Sequence, residues 1–385
     1  MAEFQIIEYE METIKLEEKI LKTVVDYLAE VEDFRMQNKC LHQLSDILFI
    51  GLLTCLSDGE DYEDMVLFAK SHLPFLKEFI ELRNGVPSHD TFRRVFITLH
   101  PDLLRVCLTD YGKDVVDVLA EKQICIDGKK LRGVSPTTRG NKGLHILHAW
   151  VAENRLCVGQ ERVDDKSNEI TAIPALLDQL DITDAVVSID AIGCQRAIAE
   201  QIVNKKGDYL LSLKANQREL YDDVVCGFKA CAPESYSETW EYDHGRYETR
   251  KCSIISSEKA LLPENQSDWC GLKTLIKVEA TREIKGKIST EIRYYISSEN
   301  GLSANYFNAL VRGHWSIENQ LHWHLDVTFK EDDSRIRTGY APENLSTLKK
   351  IALQIISGYS KDKLSLRKRR KKAAYDENYL RELIR

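Results

Sequence analysis

No run in this chain is long and apolar enough to span a membrane. The best candidate, LSDILFIGLLTCL (Leu44–Leu56), falls short of the roughly 18 apolar residues required and carries Asp46. The N-terminus MAEFQIIEYE has no basic segment leading into an apolar one, so it does not read as a secretory signal. The ten cysteines are scattered and form no C-x-x-C pair, which argues against a zinc site built from them. Cys55, Cys125 and Cys157 sit inside apolar runs and read as reduced core residues of a cytosolic protein. There is no internal repeat and no long low-complexity segment, so 385 residues are available for two or three folded domains.

A net positive charge is also missing: the total is −8, which argues against a polyanionic partner until the charge is localised. Residues 1–33 hold ten acids and three lysines, seven of the eight net negative charges. At the other end RKRRKK (Arg367–Lys372) places six cations in a row, either a solvated helix face or tail, or a DNA contact. Segregated charge of this kind can steer a polyanion that the total would repel.

Residues 1–120 read as all-helical, with 3.6-residue spacing through Ile14, Leu21, Val24, Val25 and Leu28. Pro87 and Ser88 start a short amphipathic helix that places Arg93 and Arg94 on an exposed side. That helix reads either as a packed helix or as part of a helix-turn-helix that contacts DNA. The texture then changes to β-β-β-α-β-α-β-α, starting with QICIDGKKL, LHILHAWVAE and LCVGQERV. Three meandering strands followed by crossovers predict a mixed sheet with flanking helices, an α/β fold. Residues 233–302 alternate apolar and polar and read as a β-rich insertion with a hairpin near Lys285–Lys287. Helices resume at Ala304, and residues 303–385 complete a core begun at 121–232.

Asp127 and Asp190 each end a β-branched run, ICID and VVSID, and Glu318 lies on the helical HWSIENQLHWHLD. In a β-β-β-α-β sheet the first and fourth strands can lie side by side, which would bring both aspartates to neighbouring strand ends. A helix across that edge could add Glu318. Three convergent carboxylates hold divalent cations such as Mg²⁺ or Mn²⁺, and two such ions activate a phosphodiester. A rival set shares the helix: His314, Glu318, His322 and Asp326 recur every four residues and could bind zinc or iron. His314 and His322 serve better as phosphate contacts or as supports for the acids, and Trp315 and Trp323 could stack on bases.

The strings IDGKKLRG, DDKSNEITAIPALLDQLDI, SIDAIGCQ, GDYLLSLKANQ, DHGRYETR, RYYISS and HWSIENQLHWHLDVTFKEDDSRIR resemble the H-repeat-associated transposases. These are a branch of the bacterial insertion-sequence DDE transposases. The resemblance spans nearly the whole chain, including HQLSDIL and GVPSHDTFRRV in the helical N-terminal part. It implies an RNase H-like core and a transposase-associated N-terminal domain. It assigns Asp127, Asp190 and Glu318 as catalytic and metal-binding, with two Mg²⁺ or Mn²⁺ ions. It implies cleavage of double-stranded DNA at element ends and strand transfer into a target, in the cytoplasm at the nucleoid. Synapsis of two ends would call for a homodimer on DNA. It also makes HGRYETR a DNA-contacting element, through His244, Arg246 and Arg250. Lys214 and Asn216, and Lys129, Lys130 and Arg132, stand where the DNA backbone would pass. The wider superfamily carries Tyr-x-x-Arg-x-x-x-Glu and a later lysine; here those places hold Val311, His314, Glu318 and Leu325. A nuclease without strand transfer, or an inactive DNA-binding relic, would share the same core.

Overall fold

The computed structural model describes residues 23–115, 119, 121–134, 143–164, 168–243 and 245–384. Of the N-terminal periodicity, Ile14 and Leu21 lie outside these residues. Val24 and Leu28 are buried in the helix Val24–Ala29.

Nine strands form one sheet in the order β3-β2-β1-β4-β5-β9-β8-β7-β6. They are β1 (Gln123–Leu131), β2 (Leu144–Val151), β3 (Leu156–Val163), β4 (Val186–Ile189), β5 (Asp208–Leu213), β6 (Ser235–Asp243), β7 (Arg246–Ser256), β8 (Thr274–Ile284) and β9 (Lys287–Ser297). The first three strands pair antiparallel, while β1–β4 and β4–β5 are parallel. This is the mixed sheet expected from the alternation of elements, in the RNase H-like order that the family resemblance implies. The β-branched runs ICI and VVSI suit strands buried on both faces. The helices Glu169–Asp178, Arg196–Asn204 and Arg218–Ala230 connect them, and their apolar residues share one core with Ile124, Ile126, Val187 and Leu211.

The segment 233–302 continues the same sheet. Strand β9 pairs antiparallel with β5, from Leu210↔Ser297 to Leu213↔Tyr294, and β8, β7 and β6 follow outward. The β8–β9 hairpin turns at Lys285 and Gly286, both at positive φ, which glycine adopts without steric cost.

The N-terminal helices are not a detached module. Leu44–Leu56 is buried almost throughout and packs on Ala341–Gly358, itself buried on nearly all sides. A helix apolar all round belongs inside a protein. These helices share one core with Cys125, Trp150 and Cys157 on one face of the sheet. Ser88 caps the helix His89–Thr98 through Thr91 N–H, with Phe92 and Phe96 buried and Arg93 and Arg94 exposed.

After the Glu318 region come three helices of the C-terminal part: Ala341–Gly358, Leu366–Tyr375 and Glu377–Leu383. The reading of Arg367–Lys372 as a basic tail is corrected. Arg370 is only 1 % exposed and donates to the carbonyls of Cys55 and Thr328, with Asp58 3.0 Å away. Arg369 is buried and donates to Asp362 and to the Ile356 carbonyl. Two of the six cations therefore tie helices together, because their forked donors satisfy carbonyls that would otherwise be buried unpaired.

Candidate active site

The register of the sheet builds the site. The last β1–β4 pair is Ile126↔Ile189. Asp127 and Asp190 are the next residues on these parallel neighbours, so both stand where the β1–β4 pairing ends, although β1 runs on beside β2 to Leu131. Asp127 Oδ1 accepts from the Gly128 N–H at 2.9 Å, and Asp190 Oδ1 accepts from Ile192 N–H at 3.0 Å. A side chain at Gly128 would collide with the Glu169 carboxylate and the His145 ring, which pair at 2.9 Å on the other side of the strand.

Glu318 arrives on the segment after the helix Ala304–His314. That helix is locked to the sheet from below. Gln123 donates to Ser188 Oγ at 2.9 Å and to the Leu310 carbonyl at 2.8 Å. Ser188 Oγ meets His314 Nδ1 at 3.0 Å, and Trp150 Nε1 donates to Ser316 Oγ at 3.0 Å. Residues Ile317–His322 then form a π-helical turn in which Trp323 N–H reaches back to the Glu318 carbonyl. Such wide turns are uncommon and recur at functional sites.

Asp127, Asp190 and Glu318 line one cavity of about 180 Å³ with Ala191, Ser212, Lys214, Arg293, Tyr295, His314 and Trp315. Ligand atoms of Asp127, Glu318 and His322 all lie within 4.8 Å of one another. Burial first, then the charges of Glu318 and Asp190, push the Asp127 carboxyl up to about 8, against the opposing Gly128 N–H. Burial, then Glu169, also raises Asp190. Carboxyls that take up protons when crowded are those that a cation relieves. The oxygen-rich donor set therefore fits a hard divalent cation.

The rival helical row separates. His314 turns to Ser188, and His322 faces Asp127 and His148. Asp326 pairs with Lys129 at 2.7 Å. The four residues therefore share a stripe but no common centre. Burial drops His314 to about 4, so it brings no charge to a phosphate at neutral pH.

Among the expected DNA contacts, Lys129 is corrected. It follows Asp127 by two residues and points to the same face of β1. There it is 6 % exposed, with Glu331 at 2.8 Å and Asp332 at 3.6 Å besides Asp326. Burial works against its charge, but Glu331 and Asp326 outweigh it and hold the pKa up. Lys130 and Arg132 are exposed, and Arg132 lies 3.6 Å from Asp332. Lys214 is exposed on the cavity rim, at the end of β5. Asn216 donates to the Ala191 carbonyl at 2.7 Å, which steadies the loop after Asp190. Arg246 and Arg250 both converge on the buried Glu248, as does Arg282. Arg93 and Arg94 are exposed on the N-terminal helices and do not line this cavity. His244 lies outside the described residues.

Arg293 and Tyr295 were missed as site residues, whereas His322 stands beside Asp127, as a support for the acids would. Arg293 and Tyr295 alternate on β9 within RYYISS, and only the β5–β9 pairing brings them here. Arg293 lies 4.9 Å from the Trp315 ring. Lys214 and Arg293 line the cavity, and Arg293 is held by two 2.8 Å hydrogen bonds to the Glu291 carboxylate.

The strand order, with one acid within β1 just past its last pair with β4 and the other just after β4, defines an RNase H-like protein. The family described as "Transposase DDE domain" matches residues 119–355, and the one described as "DDE_Tnp_1-associated" matches residues 25–111. The chain is 37 % identical over 373 residues to the H repeat-associated putative transposase YhhI of Escherichia coli K12, covering 94 % of this chain and 98 % of that one. It is 35 % identical over 371 residues to the putative transposase YncI of Escherichia coli O157:H7, covering 94 % and 95 %. A Xanthobacter autotrophicus protein, "Uncharacterized protein in dhlA 3'region", is 45 % identical over 269 residues, 67 % of this chain and 88 % of that one. The chain belongs to the DDE transposase family.

Proposed function

We propose that this protein cleaves phosphodiesters at the ends of an insertion sequence and joins the freed 3′ end to target DNA. Asp127, Asp190 and Glu318 would be its catalytic acids. The observation that carries this reading is the meeting of three carboxyls, from two strands and a helix, at one cavity. Two divalent cations, Mg²⁺ or Mn²⁺, would supply an activated nucleophile and a stabilised leaving oxygen.

The rest of the work falls to the chain. The rigid sheet fixes Asp127 and Asp190 relative to each other, and the Gln123–Ser188–His314 bonds fix the helix that leads to Glu318. Prior placement of reacting groups removes much of the entropic part of a barrier. Lys214 on the rim, with Arg293 beside Trp315, offers charge and an aromatic face to the DNA backbone and a terminal base. Double-stranded DNA is then the partner, and two ends held together call for at least a dimer on DNA.

A supercoiled plasmid carrying the element ends, incubated with protein and Mg²⁺ or Mn²⁺, tests the proposal. End-specific nicks and joined products are expected, and Asp190→Asn should abolish both. Cleavage by Asp190→Asn at the wild-type rate would overturn the assignment. Nicking without joined products would reduce the activity to that of a nuclease.

A further inference from the structure

Behind Asp127 stand two histidines that the three-acid reading leaves unused. His148 lies opposite Asp127 in the β1–β2 register and is fully buried. His322, 8 % exposed, follows Glu318 on the π-helical turn. Its Nε2 is 3.1 Å from His148 Nδ1, and its Nδ1 is 3.7 Å from Asp127 Oδ2. The two rings thus hold each other, and the nitrogen left over faces the acids.

Ligand atoms about 2.1 Å from a common ion stand roughly 3 to 4 Å apart. The 3.7 Å between His322 and Asp127 falls inside that range. Glu318 offers a third atom within 4.8 Å of both. Asp190 lines the same cavity from the other side but is not in this close group. Asp127 therefore has two unlike sets of neighbours, the oxygen donors of the cavity and a close group that adds the His322 nitrogen.

We propose that His322 Nδ1 is a direct ligand of the cation held by Asp127 and Glu318, and that this position prefers Mn²⁺ to Mg²⁺. This rests on the proposed cation-dependent reading of the same acids. Mg²⁺ favours an all-oxygen octahedron, whereas first-row transition ions accept imidazole readily. His148 is the positioning residue. By accepting from His322 Nε2–H it leaves the Nδ1 lone pair free, as the outer partners of metal-bound histidines commonly do. Trp323 N–H on the Glu318 carbonyl closes the wide turn that presents both side chains to Asp127.

Mn²⁺ itself is the probe. The full chain is titrated while the free-ion paramagnetic signal is followed, and the bound ion is then examined by pulsed paramagnetic resonance for ¹⁴N coupling. Coupling to one imidazole is expected in the wild type. It should vanish in His322→Gln, and His148→Asn should weaken Mn²⁺ binding about 10- to 100-fold. Mg²⁺ binding, read by displacement of Mn²⁺ from the wild type, should be at least about tenfold weaker than Mn²⁺ binding. The wild-type spectrum needs no variant, so a folding defect in either substitution leaves the test intact. Bound Mn²⁺ that is lost in Asp127→Asn but shows no ¹⁴N coupling in the wild type overturns this inference alone. Mn²⁺ binding unchanged in Asp127→Asn, or absent from the wild type, overturns the cation-dependent reading with it.

Discussion

Asp127→Asn should stabilise the cation-free protein at neutral and alkaline pH, and should do so progressively. The Asp127 carboxyl is raised from 3.8 to about 8, by burial and by its acidic neighbours. Below pH 3.8 both the folded and the unfolded chain hold this proton, and the site carries no penalty. As pH rises from 3.8 to 8 the unfolded chain releases the proton while the folded chain keeps it. Stability therefore falls by about 1.4 kcal/mol per pH unit. The loss amounts to about 4 kcal/mol at pH 7 and levels off above pH 8. Asparagine removes the titration but leaves a partly unpaired buried amide, at about 1–3 kcal/mol. A net gain of about 1–3 kcal/mol is expected at pH 7–8, vanishing or reversing near pH 4. Urea unfolding in chelator at pH 4, 6, 7 and 8 measures it. A difference between variant and wild type that stays flat across that range, or a wild type more stable at pH 8, would refute the reasoning. Adding Mn²⁺ should reverse the order, because a bound cation replaces the proton only in the wild type.

Three further substitutions probe the surroundings. Lys129→Ala leaves Glu331 buried without its main counter-charge and should cost about 3–5 kcal/mol, read from urea midpoints at pH 7. Lys214→Ala, at an exposed rim position, should leave the melting temperature unchanged while weakening DNA binding. It should also reduce the slope of log affinity against log salt by about one; an unchanged slope removes Lys214 from the phosphate path. Gly128→Ala forces a methyl against Glu169 and His145 and should destabilise by about 1–3 kcal/mol. A melting temperature equal to wild type would mean that the Glu169–His145 pair yields freely.

Periodicity and residue type were enough to place every strand of the core and the β8–β9 hairpin. Alternation, β-branched runs and turn residues are local signals that neighbours in sequence carry by themselves. The meeting of Asp127, Asp190 and Glu318 at one cavity was also legible, since aspartates that close two matched β-branched runs in a β-β-β-α-β order leave few places for them to go. Tertiary structure alone decided what surrounds those acids. Lys129 reads as a free cation next to Asp127 until Asp326, Glu331 and Asp332, some 200 residues later, close over it. Arg369 and Arg370 read as part of a tail until Asp362 and the Ile356 carbonyl meet the first, and the Cys55 and Thr328 carbonyls meet the second. Arg293 reaches the cavity through the β5–β9 pairing, and His322 reaches Asp127 through a π-helical turn. The reason is common to all five: sequence spacing sets which way a side chain leaves its own element. Which charges meet it there is set by pairings between distant segments, and in a low-dielectric interior those pairings decide whether a cation binds DNA or holds the fold.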